Sequence, residues 1–192
     1  DVVSQAETIE PFAGLRGDLL RTSYACHVAE TTRRFVREGE GSVSLFRLLR
    51  DTLAALAEEG DPALAARYFE LRLLDLLGYR PELAACPGCG VELGPEGNAF
   101  GVDAGGVLCP RCAPADPHSV PLTAAAFRVL RFLQARDWAE ARRIDMTSGT
   151  RALLERTMTA YMRYHLERDL DSLGFIRRLR EEEGRRDPGR IA

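Results

Sequence analysis

Two cysteine pairs, Cys86-Pro-Gly-Cys89 and Cys109-Pro-Arg-Cys112, stand 19 residues apart in the chain. This is the spacing of a four-cysteine zinc ribbon or a related treble-hairpin site. Two residues between thiolates let each pair form a tight knuckle with both sulfurs aimed at one ion, and Gly90 permits the positive φ that follows such a turn. Four thiolates fill a tetrahedral site and leave no position for water, so the zinc expected on Cys86, Cys89, Cys109 and Cys112 is one structural ion with no catalytic role. His118, six residues after Cys112, stands as the replacement ligand should one cysteine not bind. The fifth cysteine, Cys26, reads as a small core hydrophobe in a helical stretch.

Catalytic signatures are missing. The chain has no HExxH, no GxxxxGK[ST] phosphate loop, no GxGxxG after a strand and no GxSxG elbow. His165 and Glu167 spell the HxE of zinc deaminases, but they follow both cysteine pairs where that signature precedes its PCxxC. His165 and His27 therefore read as partly buried helical residues, and the chain reads as no enzyme.

The cysteines need elements to hold them. Among 192 residues, 45% are hydrophobic and 29% charged, enough to bury one core with a small insertion. No apolar run is long enough for a membrane span and no signal segment is visible, which with the paired thiols predicts a cytoplasmic protein without membrane contact. Residues 1–80 read as helical. The stripe Phe12, Leu15, Leu19, Val28, Thr32 and Phe35 predicts a helix to Val36, stopped by Gly39 and Gly41. Ser42 or Ser44 caps a second helix carrying Leu45, Leu48, Leu49, Leu53 and Leu56 inward. Asp61 and Pro62 open a third, with Leu64, Tyr68, Leu71, Leu74 and Leu77 buried before Gly78 ends it. Residues 81–120 are rich in glycine and proline and form the inserted ribbon. Two short strands are expected there, 98–102 and 106–108, turning at 103–105. With almost no core of its own, this ribbon should depend on its metal.

Helical pattern returns over 121–192. Thr123 caps a helix with Phe127, Leu130 and Leu133 inward, a short helix covers 138–143, and a long one starts at Thr147 or Ser148. Leu154, Met158, Tyr161, His165 and Leu166 form its apolar side, Gly174 interrupts it, and the charged tail from about 181 reads as disordered. The fold class is mainly α, a helical domain with an inserted four-cysteine ribbon.

All 26 basic residues are arginine against 29 acidic ones, for a net charge of −3. The ribbon is acidic in balance, whereas the arginines concentrate after Pro121. Phosphate neutralisation supplies most non-specific DNA affinity, and arginine pairs bidentately with phosphate. Arg128 and Arg131 share one helix face, Arg142 and Arg143 sit in the next helix, and Arg177, Arg178 and Arg180 lie in the last. These are the candidate DNA contacts; the plainer alternative makes them solvated helix faces balanced by Glu140, Glu155 and Glu181.

The run RYFELRLLDLLGYRPEL over residues 67–83, followed by CPGCG at Cys86 and GGVLC ending at Cys109, resembles the RecO family of bacterial DNA repair proteins. YHLERDLDSL at 164–173, LRGDL at 15–19 and LFRLL at 45–49 extend the resemblance over most of the chain. It implies a recombination mediator that binds single- and double-stranded DNA, anneals complementary strands, and works with RecR and single-stranded DNA-binding protein to load RecA, in the cytoplasm at the nucleoid. It also implies an N-terminal OB-fold, absent from this chain. The competing class is a protein-interaction module with a structural zinc and no DNA contact, engaging the acidic, aromatic-ended tail of single-stranded DNA-binding protein in an apolar groove with a basic rim. An unrelated transcription or translation factor with a free-standing ribbon would lack the long helices and the Phe69-to-Pro81 lead-in.

Overall fold

A computed structural model describes residues 5, 7–36, 39, 41–58, 60–166 and 171–186, the side chains of Asp171 and of 183–186 excepted. Seven α-helices and one three-stranded sheet form among them: α1 (Leu19–Phe35), α2 (Val43–Ala57), α3 (Pro62–Leu76), β1 (Ala99–Gly101), β2 (Gly106–Leu108), β3 (Val120–Pro121), α4 (Ala124–Ala135), α5 (Trp138–Ala141), α6 (Ser148–Leu166) and α7 (Asp171–Arg186).

Caps set most of the helix starts. Ser42, Asp61, Thr123 and Asp137 each accept a hydrogen bond from a first-turn backbone N–H of α2, α3, α4 and α5, satisfying donors that have no partner within the helix. α1 departs from expectation. It begins only after Gly17, with Asp18 as its N-cap, and Phe12 to Leu15 form a separate single turn of 3-10 helix. Its buried face is also not the aliphatic stripe, because Leu19 is 59% exposed while Ser23, Tyr24, His27, Val28 and Thr31 are buried. Polar residues occupy the inward face, which a hydrophobicity pattern cannot register.

α3 is the centre of the domain and packs against α1, α2, α4 and α6. It is buried nearly all round: Leu64, Leu71 and Leu74 join one core, Ala65, Ala66, Phe69 and Leu73 join another, and the charged Arg67 and Glu70 are buried with them. Gly78 ends it with φ 82. The Gly78 amide donates to the Asp75 carbonyl at 3.2 Å and the Tyr79 amide to that of Leu74 at 2.8 Å, the paired bonds of a Schellman motif.

Gly174 does not interrupt the last helical part, and residues 167–170, between its two described helices, lie outside the described residues. α6 ends at Leu166, and α7 runs from Asp171 straight through Gly174 to Arg186. The expected tail is thus helical as far as Arg186, and 187–192 lie outside the described residues. α7 packs against α1, where a polar chain fastens it. His27 Nε2 donates to Glu70 Oε1 at 2.7 Å, the same oxygen takes Arg67 at 2.7 Å, and His27 Nδ1 lies 3.0 Å from the Ser172 hydroxyl. The Ser172 amide then donates to Glu30 at 2.9 Å. His27, Glu70 and Arg67 are 0, 1 and 3% exposed, so this is a buried charged cluster linking three helices.

Candidate metal centre and arginine surface

The ribbon is built from backbone turns outward. The Gly90 amide donates to the Cys86 carbonyl at 2.7 Å, and the Cys112 and Ala113 amides donate to the Cys109 carbonyl at 3.0 and 2.9 Å. Each CxxC is therefore a closed knuckle, and Gly90 adopts φ 74 as the first one requires. β1 pairs antiparallel with β2, Phe100 opposite Val107, close to the expected hairpin; β3, unexpected, pairs on the other side of β1. The lead-in from α3 is stitched to the hairpin by the Val107 amide donating to the Glu82 carbonyl at 2.8 Å. Gly106 makes this approach possible, since a Cβ there would fall 2.3 Å from that carbonyl oxygen.

These turns bring the four sulfurs of Cys86, Cys89, Cys109 and Cys112 within 4.8 Å of one another, where they could hold a metal ion. The Sγ atoms of Cys89 and Cys109 are 3.7 Å apart, far beyond a disulfide. Four sulfurs at about 2.3 Å from a tetrahedral ion would lie about 3.8 Å from each other, so the donor set fits in both chemistry and spacing. His118 is not in the cluster; its backbone amide bonds the Asp116 carboxylate at 2.9 Å. Cys26 is exposed, contrary to its reading as a core residue.

The sulfurs are unequal. Cys86 and Cys109 are buried, Cys112 is half-buried and Cys89 is exposed. A backbone N–H of Val91, then the Arg111 guanidinium, hold the Cys89 thiol down at about 6. The hydrogen bond it shares with Cys89, together with burial, pushes Cys112 up to about 12. Burial raises Cys86, but N–H groups of Cys109, Gly88 and Cys89 outweigh it and leave its pKa lowered. Cys89, the exposed sulfur of the four, thus combines access with a lowered pKa. In metal-free protein at pH 7, iodoacetamide should modify Cys89 first, at a rate that falls as pH drops through about 6. Metal should protect it. Peptide mapping that finds Cys26 labelled faster, or no protection by metal, would contradict this ordering.

The ribbon does not stand apart from the helices. Phe100 and Val107 are fully buried in the same core as Leu71, Leu74, Phe127 and Tyr161, with Phe100 edge-on to Tyr161 at 5.2 Å between ring centroids.

Arg128 and Arg131 on α4, Arg142 and Arg143 directly after α5, and Arg177 and Arg178 on α7 are all exposed. They do not share one element group, because α4 packs against α3 and α6 whereas α7 packs against α1. Arg131 lies over the Phe127 ring at 5.6 Å, and Arg142 pairs with Glu58 at 3.4 Å. Arg180 is not a surface cation: it is bound to Glu155 at 2.5 Å and to the Tyr24 hydroxyl. The local pattern that placed it with Arg177 and Arg178 in the last helix carried no information about these distant partners.

A family model described as Recombination protein O C terminal matches residues 16–174. The chain belongs to the RecO family. Relatives named DNA repair protein RecO include one from Roseiflexus, 39% identical over 94% of this chain and 64% of its own length. Others are from Symbiobacterium thermophilum, 35% identical over 94% and 72%, and Desulforudis audaxviator, 38% identical over 93% and 71%. The chain thus spans about two thirds of the length of the RecO relatives it matches. Among the described residues no helix is long and apolar enough to cross a membrane.

Proposed function

We propose that this chain is the helical, zinc-bearing part of a non-enzymatic recombination mediator that binds single- and double-stranded DNA during repair. Membership of the RecO family over residues 16–174 is the observation that carries this reading. It extends to annealing of complementary strands and to aiding RecA loading with RecR, in the cytoplasm at the nucleoid. Zinc is the metal assigned to the four thiolates, because soft ligands in a closed tetrahedral set suit it and leave it no water to activate. Its part is to hold both knuckles against the hairpin.

The DNA contacts are assigned to Arg128, Arg131, Arg142, Arg143, Arg177 and Arg178. Fluorescence anisotropy with oligonucleotides over a salt series tests this. Replacing Arg128 and Arg131 by glutamate should weaken single strands and duplex alike. For each phosphate left without its arginine, the slope of log affinity against log salt should fall by about 0.9 on duplex and about 0.7 on single strands. No binding by the unaltered chain at low salt would remove the DNA reading.

A second reading, attachment to the acidic, aromatic-ended tail of single-stranded DNA-binding protein without DNA contact, is favoured by one cleft. It has a volume of about 250 Å³ and is lined by Leu48, Thr52, Ala55, Ala65, Tyr68 and Trp138, with Asp51 at its side. Arg72 lies over the Tyr68 ring at 5.0 Å. The recognition would be an apolar side chain seated in a groove with cations near its rim. Trp138, the one tryptophan in the chain, reports on it: adding tail peptide should shift its emission saturably. Unchanged emission together with unchanged peptide mobility would dismiss this cleft.

A further inference from the structure

We propose that Tyr79 and Tyr164, each packed against His165, form a stacking platform for unpaired bases of single-stranded DNA. The inference rests on the DNA-binding reading and deepens it, because none of its aromatic residues belongs to the arginine set.

Three tyrosines pack on one imidazole. Ring centroids of Tyr79, Tyr161 and Tyr164 lie 4.6, 4.5 and 5.3 Å from that of His165. Tyr161 is the buried anchor at 2% exposure; its hydroxyl donates to the Tyr79 carbonyl at 3.1 Å and ties the end of α3 to α6. Phe35, at 6.3 Å, supports Tyr79 from α1. Tyr79 and Tyr164, by contrast, are 44 and 48% exposed. They are aromatic rings fixed by their neighbours and open to solvent, so a ligand stacking on them gives up little rotamer freedom on the protein side. Burial also lowers the pKa of His165, disfavouring its charged form.

Charge selects the occupant. An arginine directly follows the first exposed tyrosine (Arg80) and one directly precedes the second (Arg163), and both are exposed. Arg80 is 55% exposed, 3.5 Å from the Asp75 carboxylate, and donates to the Gln134 side-chain oxygen at 3.4 Å. Aromatic faces alternating with cations match a single strand, whose bases offer π-faces and whose phosphates follow at each step. Paired bases in a duplex have their faces covered.

The full 192-residue chain is titrated with labelled oligothymidylate, an abasic single strand of equal length and charge, and a duplex. The unaltered protein should bind oligothymidylate about tenfold or more tighter than the abasic strand. Tyr79→Ala with Tyr164→Ala should erase that difference, and Tyr79→Phe with Tyr164→Phe should restore it. Duplex affinity and the salt slope should not move. Equal binding of abasic and base-bearing strands by the unaltered protein overturns the platform without needing any variant. Phenylalanine variants as weak as alanine ones, or a parallel loss on duplex, overturn it as well. These results leave arginine-based binding standing, whereas a chain that binds no oligonucleotide at all fails the DNA reading itself and the platform with it.

Discussion

Stripping the metal from the four-cysteine centre with a strong chelator should lower the thermal midpoint by about 10 °C and split one transition into two. Isolated zinc fingers owe on the order of 10 kcal/mol to their metal and unfold without it. This ribbon has a second hold, since Phe100 and Val107 are fully buried against Tyr161 and the other side chains of the shared core. The metal's share should therefore be smaller than in a free-standing finger, a few kcal/mol at about 2–4 °C each for a chain this size. The core of α1, α2, α3 and α7, containing Tyr24, Val28, Leu56 and Phe69, touches no cysteine ligand and should melt later. Cys109→Ser should reproduce the chelator's effect. Calorimetry showing one unchanged transition in protein proven free of metal would mean that the hairpin's packing alone suffices.

Glu70→Ala should cost about 3–5 kcal/mol of unfolding free energy, because it strands a buried cation. Arg67 and His27 both point at one oxygen of Glu70, each at 2.7 Å, in surroundings 0–3% exposed. Removing the carboxylate leaves the guanidinium with little else, chiefly a 3.4 Å bond to the Glu155 carbonyl. Glu70→Gln should cost less, since an amide oxygen still accepts from His27. Replacing the ion pair as a whole, Arg67→Met with Glu70→Leu, should recover much of the loss, since the desolvation of both charges is then avoided. Urea denaturation of the four proteins is the measurement. An alanine variant within about 1 kcal/mol of the parent would show that water enters and solvates Arg67.

The features that the sequence displays plainly are those set by near neighbours. The Ser42, Asp61 and Thr123 caps, the Pro62 start, the Gly78 stop and the two CxxC knuckles each depend on atoms within a few positions and are found where expected. What stays hidden depends on partners far along the chain. Ser172 and His27 are 145 positions apart and Arg180 and Tyr24 are 156 apart, so no local pattern announces a buried histidine or a neutralised arginine. β3 is two residues long, too short for any periodicity. Ser23, His27 and Thr31 share the inward face of α1 with Tyr24 and Val28, and the bonds that let His27 be buried come from Glu70 and Ser172 on other helices. Tyr79 and Tyr164 stand in the sequence only as part of the runs at 67–83 and 164–173, and it is the fold that leaves them half open.

The placement of α3 between two cores has a consequence for how such a chain can change over generations. Its residues face the four-cysteine hairpin on one side and the α1, α2 and α7 bundle on the other. A volume change at Phe100 must be answered by Tyr161 or by the α3 leucines, and any shift of α3 is then felt at Phe69 and Tyr24. The ribbon and the helical bundle therefore cannot drift independently. Substitutions tolerated on one side are constrained by the residues already accepted on the other.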